Sequence, residues 1–204
     1  MPNKELFMKF DKLPKIRSLK RLEKYGLPIP QTLFIFNFDK QEKEIDEFLK
    51  GKKEVSIRSD KTDDSQFCPS IPRCPACKAK SLCEKISKQG YVVILHEYFP
   101  LKKGRIACGH ILTLKEHIVF ELVDRGAVSR LDREGEVREI VRLRKKDLAE
   151  TEHFGKRTAK RSALKKVALL VKNVPCFKIL DFTLMENGPY FYQIQDDKTA
   201  SRLS

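Results

Sequence analysis

Residues 58–85 read RSDKTDDSQFCPSIPRCPACKAKSLCEK and hold four of the six cysteines, Cys68, Cys74, Cys77 and Cys83. The spacing, C-x5-C-x2-C-x5-C, places four thiols and two Cys-Pro pairs within sixteen residues that carry few large apolar side chains. Such a segment has little to bury and predicts a loop ordered from within by a metal. Thiolates are soft ligands that select zinc or iron–sulfur clusters, and a four-cysteine set closes either. Two disulfides or unligated thiols are the other readings of the same residues. Disulfides conflict with a chain that otherwise reads as intracellular.

Working outward, 204 residues with 41% apolar content fit one domain, or one with a small appended lobe. Forty-two Lys and Arg against 28 Asp and Glu leave a net charge of +14. That surplus points to a polyanion, a phosphorylated ligand or solubility. The first twenty residues are too charged for a signal peptide, and no apolar run approaches the ~20 residues that cross a bilayer. The expectation is a cytoplasmic protein with no membrane partner.

Taken in order, Met1 to Lys12 predicts an irregular segment or an edge strand. Pro14 suits a first helical turn. Ile16, Leu19, Leu22 and Tyr25 recur at helical spacing up to a stop at Gly26. Thr32–Phe36 predicts a buried strand. Asp39 with Glu42 predicts a capped helix whose apolar face is Ile45, Phe48 and Leu49. Glu54–Ser59 predicts a strand, Ser81–Lys88 a short helix and Tyr91–Tyr98 another strand. Arg105–Leu114, His117–Val123 and Val137–Leu143 predict antiparallel strands, with a polar connection over 124–135. Lys146–His153 predicts a short helix and Lys156–Lys172 a basic helix with Leu164, Val167, Ala168 and Val171 inward. Phe177–Leu184 and Tyr190–Gln195 predict a closing hairpin, and the tail after Asp197 predicts loose chain. This order is α+β, with mixed or antiparallel sheets, flanking helices and a cysteine loop at 68–83, not a doubly wound sheet. It divides into a lobe of 1–90 and an antiparallel-sheet lobe of 91–204 that carries the helix of 156–172.

Two resemblances sharpen the reading. The run PRCPACKAKSLCEK resembles the cluster loop of helix-hairpin-helix DNA glycosylases, which is spaced C-x6-C-x2-C-x5-C and often has a basic residue where Arg73 stands. Its C-x2-C-x5-C part is similar to that of the iron–sulfur exonucleases associated with CRISPR systems. The resemblance implies a [4Fe-4S] cluster on Cys68, Cys74, Cys77 and Cys83, with zinc as the alternative. It implies no glycosylase, whose hairpin and catalytic Lys/Asp arrangement are missing from the chain.

Gly26-Leu-Pro-Ile-Pro30, Val55-Ser-Ile-Arg-Ser59, Leu95-His-Glu-Tyr98 and Asp181-Phe-Thr through Gln193 come in one order. Together they resemble the nucleotide-binding part of phosphoenolpyruvate synthase and pyruvate phosphate dikinase, an ATP-grasp domain. That resemblance implies ATP and magnesium. Lys15 and Arg58 would lie at the phosphates, Glu97 near the adenosine, and Asp181 and Gln193 beside the metal and phosphates. Departures accompany it: Asp60 replaces a serine, the cysteine loop stands where a glycine-rich lid belongs, Gln195 replaces an arginine, and Asp181 replaces a glutamate. No phosphohistidine domain fits in so short a chain.

Bland readings stand beside these. The four histidines, and the isolated Cys108 and Cys176, read as ordinary packed side chains. Lys160, Arg161 and Lys165 in the basic helix, with Arg73, Lys78 and Lys80 by the cysteines, read either as a solvated face or as a phosphate-tracking surface for RNA or DNA. Two functions therefore remain open. One is an ATP-grasp-like nucleotide-binding protein with a four-cysteine metal centre, a phosphotransferase or ligase component acting with a protein partner. The other is a non-enzymatic, metal-centred nucleic-acid-binding protein on a degenerate ATP-grasp scaffold.

Overall fold

Among the described residues, strands pair only in antiparallel fashion, in two separate sheets. The computed structural model describes residues 12–61, 68–99, 104–124 and 137–197. The expectations for residues 1–11, for most of the 124–135 connection and for the tail from 198 lie outside the described residues. The chain forms two compact units, one of residues up to Lys20 with 30–98, the other of 21–29 with the chain from Phe99 onward.

The first unit holds β1 (Thr32–Ile35), β2 (Glu54–Asp60), β3 (Ser70–Pro75) and β4 (Val92–Glu97), ordered β1-β4-β2-β3. It also holds the start of α1 (Pro14–Lys24), with α2 (Glu42–Leu49) and α3 (Ala76–Lys88). Strand alternation sends Val55, Ile57, Val93 and Leu95 to one face, where they pack with Ile45 and Phe48 of α2 and Ala79, Cys83 and Ile86 of α3. Each such aliphatic side chain contributes about 1.5–3 kcal/mol on leaving water. The predicted metal loop is thus a strand and a thirteen-residue helix. Ala79, Cys83 and Ile86 follow the i, i+4, i+7 period of a buried helical face. Pro69, Pro72 and Pro75 are tolerated because β3 lies at the sheet edge, where missing N–H donors cost little.

α2 begins at Glu42 rather than Asp39, and no capping box forms. Gln41 orders the turn instead. Its Oε1 accepts from Phe36 N at 2.8 Å and Asn37 N at 3.2 Å, and its Nε2 donates to Phe34 O at 3.0 Å. Glu42 pairs with Lys80.

In the second unit, β5 (Arg105–Thr113), β6 (His117–Asp124), β7 (Glu139–Arg144), β8 (Glu150–Gly155), β9 (Lys178–Met185) and β10 (Gly188–Asp196) form the order β10-β9-β5-β6-β7-β8. Phe182 packs at 6.0 Å from Phe120 and 6.2 Å from Phe191 in its core. α4 (Arg161–Val171) buries Leu164, Val167, Ala168 and Val171, the face expected. Its start is five residues later than expected. The helix predicted over Lys146–His153 is largely replaced by β8, a polar edge strand paired with β7. At the end of α1, Gly26 takes φ +68°, and the bonds Gly26 N→Glu23 O and Leu27 N→Leu22 O close a Schellman turn.

β5 and β6 lie close together at Gly109. A Cβ there would lie 1.8 Å from Glu121 O, which is backbone and has nowhere to go. Gly109→Ala is expected to cost about 3 kcal/mol or more, read as a lowered urea midpoint with unchanged slope.

Candidate functional site

In the first unit, the end of β2 meets the start of α1. Asp60, 2% exposed, accepts from Lys15 N at 2.8 Å and Ile16 N at 3.1 Å. It therefore caps a helix whose own first turn has no acid, which gives the departure from serine a structural task. Lys15 Nζ donates to Ser59 O at 2.6 Å and lies near Cys68. Burial holds its ammonium below the ordinary lysine range, against the pull of Cys68 and Asp60 and with a push from Arg58. Lys15 and Arg58 thus share one electrostatic neighbourhood at a strand end.

Arg58 lies on the sheet face opposite the α2–α3 core. His96 shares that face, since it pairs in register with Ser56. Glu97 pairs with Val55 and belongs to the other face, Ile94 stands directly opposite Arg58, and His96 is the polar residue of β4 diagonal to it. Thr32 Oγ1 donates to Pro30 O at 2.7 Å and meets His96 Nδ1 at 2.8 Å. With its one hydrogen spent, the hydroxyl accepts, which assigns the His96 proton to Nδ1. Nε2 is buried with no hydrogen-bond partner among the described residues. Burial, with a smaller push from Arg58, drives the imidazole down to about 3. The unfolded chain therefore takes the proton first as pH falls below the ordinary value of 6.5. Stability is complete above that value and drains away on acidification toward pH 3. At 1.36 kcal/mol per unit, the loss from pH 7 to pH 5 is roughly 2 kcal/mol. Urea melts at the two pH values should show it, and His96→Gln should remove that portion of the slope.

In the second unit, four polar residues stand directly opposite one another on four adjacent strands: Glu121 (β6), His110 (β5), Asp181 (β9) and Gln193 (β10). Opposite partners share a face. His110 Nε2 lies 3.4 Å from Asp181 Oδ1, and its Nδ1 lies 3.9 Å from Glu121 Oε2. Gln193 Nε2 donates to Gln195 Oε1 at 3.4 Å. Asp181 and Gln193, twelve residues apart in sequence, are thus brought together by the β9–β10 hairpin, and their oxygens are hard donors of the kind magnesium takes. The sequence marks His110 as an ordinary packed side chain and does not single out Glu121. Only the strand register joins them to this row.

A second buried cluster was not anticipated. Glu139, fully buried, accepts from Thr158 N at 2.7 Å, Thr158 Oγ1 at 2.8 Å and Arg161 Nη1 at 2.6 Å. His153 Nε2 lies 3.3 Å away. Burial raises the carboxyl's pKa, but the Thr158 and Arg161 bonds outweigh it and hold the group below the usual range. The cluster ties β7 and β8 to the residues leading into α4.

Cys74 neighbours both Cys77 and Cys83, but the four cysteines do not gather into one set. Cys68 sits beside Lys15, whereas Cys74 lies at the far end of β3, on the order of 15 Å along an extended chain. Metal–sulfur bonds of about 2.3 Å do not span that gap. Cys77 is exposed and Cys83 fully buried, on different faces of α3. Burial, then Cys74, pushes the Cys83 thiol up to about 12. Among the described residues no group of three or more Cys, His, Asp or Glu has metal-holding geometry. Neither a [4Fe-4S] cluster nor a four-cysteine zinc finds support among the described residues. Of the isolated thiols, Cys108 is buried and Cys176 half-buried beside Lys145.

The basic set is also divided. Arg73 pairs with Glu54, Lys80 with Glu42 and Asp46, and Arg161 with Glu139 and Glu150. Lys78, Lys160 and Lys165 are exposed. Half of the proposed phosphate contacts are thus occupied by the chain's own carboxylates.

Solved structures supply the fold. A RimK-domain ATP-grasp protein of Sphaerobacter thermophilus superposes over 91% of this chain and 60% of its own, with TM-score 0.51 and 14% identity. D-alanyl-alanine synthetase A of Vibrio cholerae matches over 92% and 56%, at 0.53 and 10%. The fold is ATP-grasp-like. D-alanine–D-alanine ligase of Helicobacter pylori matches over 90% of this chain and 54% of its own, with TM-score 0.53 and 10% identity. This chain spans 60% or less of the length of these three proteins. No protein-family model and no curated protein matches the sequence. The ATP-grasp part of the sequence resemblance is supported; no support falls on phosphoenolpyruvate synthase or on an iron–sulfur loop. No helix among the described residues is long and apolar enough to cross a membrane.

Proposed function

We propose that the chain binds ATP with magnesium and forms the nucleotide-binding part of an ATP-dependent ligase. The observation that carries this is the register Asp181↔Gln193 on one hairpin of an ATP-grasp-like fold. Asp181 and the Gln193 side-chain oxygen are the residues that would hold the cation. Magnesium, when bound, neutralises phosphate charge and orients it for transfer. In the first unit, Arg58 supplies a guanidinium suited to bidentate phosphate contact. Lys15 supplies a second cation once its ammonium leaves Ser59 O. His110 steadies the Asp181 carboxylate from β5. Such residues act by placing charge and holding orientation rather than by covalent chemistry. Departures at Asp60 and Gln195 remain compatible, since Asp60 caps α1 and Gln195 bonds Gln193.

Isothermal titration with Mg-ATP tests the reading. One saturable, magnesium-dependent site supports it. An absence of heat and of thermal stabilisation at millimolar nucleotide overturns it.

A further inference from the structure

α4 presents an outer face that the nucleotide reading does not use. Its inner face is filled by Leu164, Val167, Ala168 and Val171. On the outer side Leu169 is 56% exposed and Leu170 40% exposed. Lys165 stands four residues before Leu169 and Lys172 three after it, and Lys166 stands four before Leu170; all three lysines are exposed. Residues three and four apart are surface neighbours on a helix, so two leucines lie in a lysine frame.

Along the sequence, the charge around α4 has one sign. No acidic residue occurs between Gly155 and Asn173, and exposed Lys156, Arg157 and Lys160 precede the helix. The first turn of α4 has no acid, so these cations add to the positive end of the helix dipole rather than being offset. Unlike Arg161, which Glu139 and Glu150 neutralise, they extend an electropositive field over the face.

We infer that this face docks an acidic amphipathic peptide segment, with apolar side chains seated on Leu169 and Leu170 and carboxylates on Lys165, Lys166 and Lys172. The exposed leucines separate this from other polyanions. A nucleic acid gains nothing from aliphatic side chains, and α4 itself carries no aromatic ring for base stacking. A bilayer needs a broad apolar stripe, and the apolar stripe of α4 is turned inward. A second copy of the same face is repelled by like charge. An acidic segment with leucines at helical spacing matches both features, as in groove-type helix recognition.

The test is fluorescence anisotropy with a labelled synthetic peptide of Leu and Glu at i, i+3 and i+4 spacing. Comparison probes are the same peptide with Leu replaced by Gln, a single-stranded RNA, and phosphatidylserine vesicles. The inference expects the Leu/Glu peptide to bind at least about tenfold more tightly than the Gln version. It also expects Leu169→Ser with Leu170→Ser to remove that advantage. Because both leucines are exposed, the folded state should survive, checked by an unchanged melting temperature. Lys165→Glu with Lys166→Glu should weaken the peptide about tenfold or more independently. Equal binding of the two peptides, tighter binding of RNA or vesicles, or affinity untouched by the leucine substitutions would overturn the inference.

Discussion

Asp181→Asn is expected to weaken Mg-ATP binding about 100-fold while leaving stability within about 1 kcal/mol. On the proposed reading, the Asp181 carboxylate is the charged member of the Asp181–Gln193 pair. Asparagine keeps its shape and its place opposite His110 and Gln193. What it loses is the negative charge facing a divalent cation. About 2.7 kcal/mol, which corresponds to 100-fold, is modest beside the several kcal/mol that unit charges exchange a few ångströms apart at a protein surface. Gln193→Ala should cost less, about tenfold, since a neutral oxygen is removed. Calorimetry of both variants, with and without magnesium, distinguishes this role from a merely structural one. If the aspartate only paired with His110, nucleotide affinity would not move.

Glu139→Ala should cost about 3–5 kcal/mol of folding stability. The substitution leaves the Arg161 guanidinium and the Thr158 N–H facing a space from which their acceptor has gone, and His153 loses its neighbour at 3.3 Å. The loss follows from breaking one half of a buried pair, and does not measure what the pair contributes as a whole. Glu139→Leu combined with Arg161→Met should therefore recover much of the stability. The acid limb is informative as well. Because the folded-state pKa of Glu139 lies below its ordinary value, its contribution is present above the unfolded carboxylate range. It fades as pH falls through the folded pKa. Urea denaturation should show this acid loss in the parent chain and its absence in the double variant.

Much of the second sheet was legible because its strands carry β-branched and aromatic residues in alternation, and because the 185–188 turn fixes the hairpin. The inner face of α4 was legible from helical spacing alone. In the first unit, a strand and a helix stand where the run of cysteines predicts a loop. Cys83 is a small apolar side chain in a helical period with Ala79 and Ile86, and only packing distinguishes that use from ligation. β3 was hidden by its prolines, which an edge position excuses. β8 was hidden by polarity, for the same reason. The polar rows depend on register. His96 joins Arg58, and His110 joins Asp181, only once strand order is known, since sequence spacing between them carries no periodic signal. Glu139 was invisible because its partners Thr158 and Arg161 lie in a run that reads as a solvated cationic segment.

The most direct test of the central claim is calorimetric titration of the whole chain with Mg-ATP, repeated with ATP in chelator. The account predicts one nucleotide per chain, bound only with magnesium, and weakened about 100-fold by Asp181→Asn. Binding that ignores magnesium, or an Asp181→Asn variant that binds as the parent does, would contradict it.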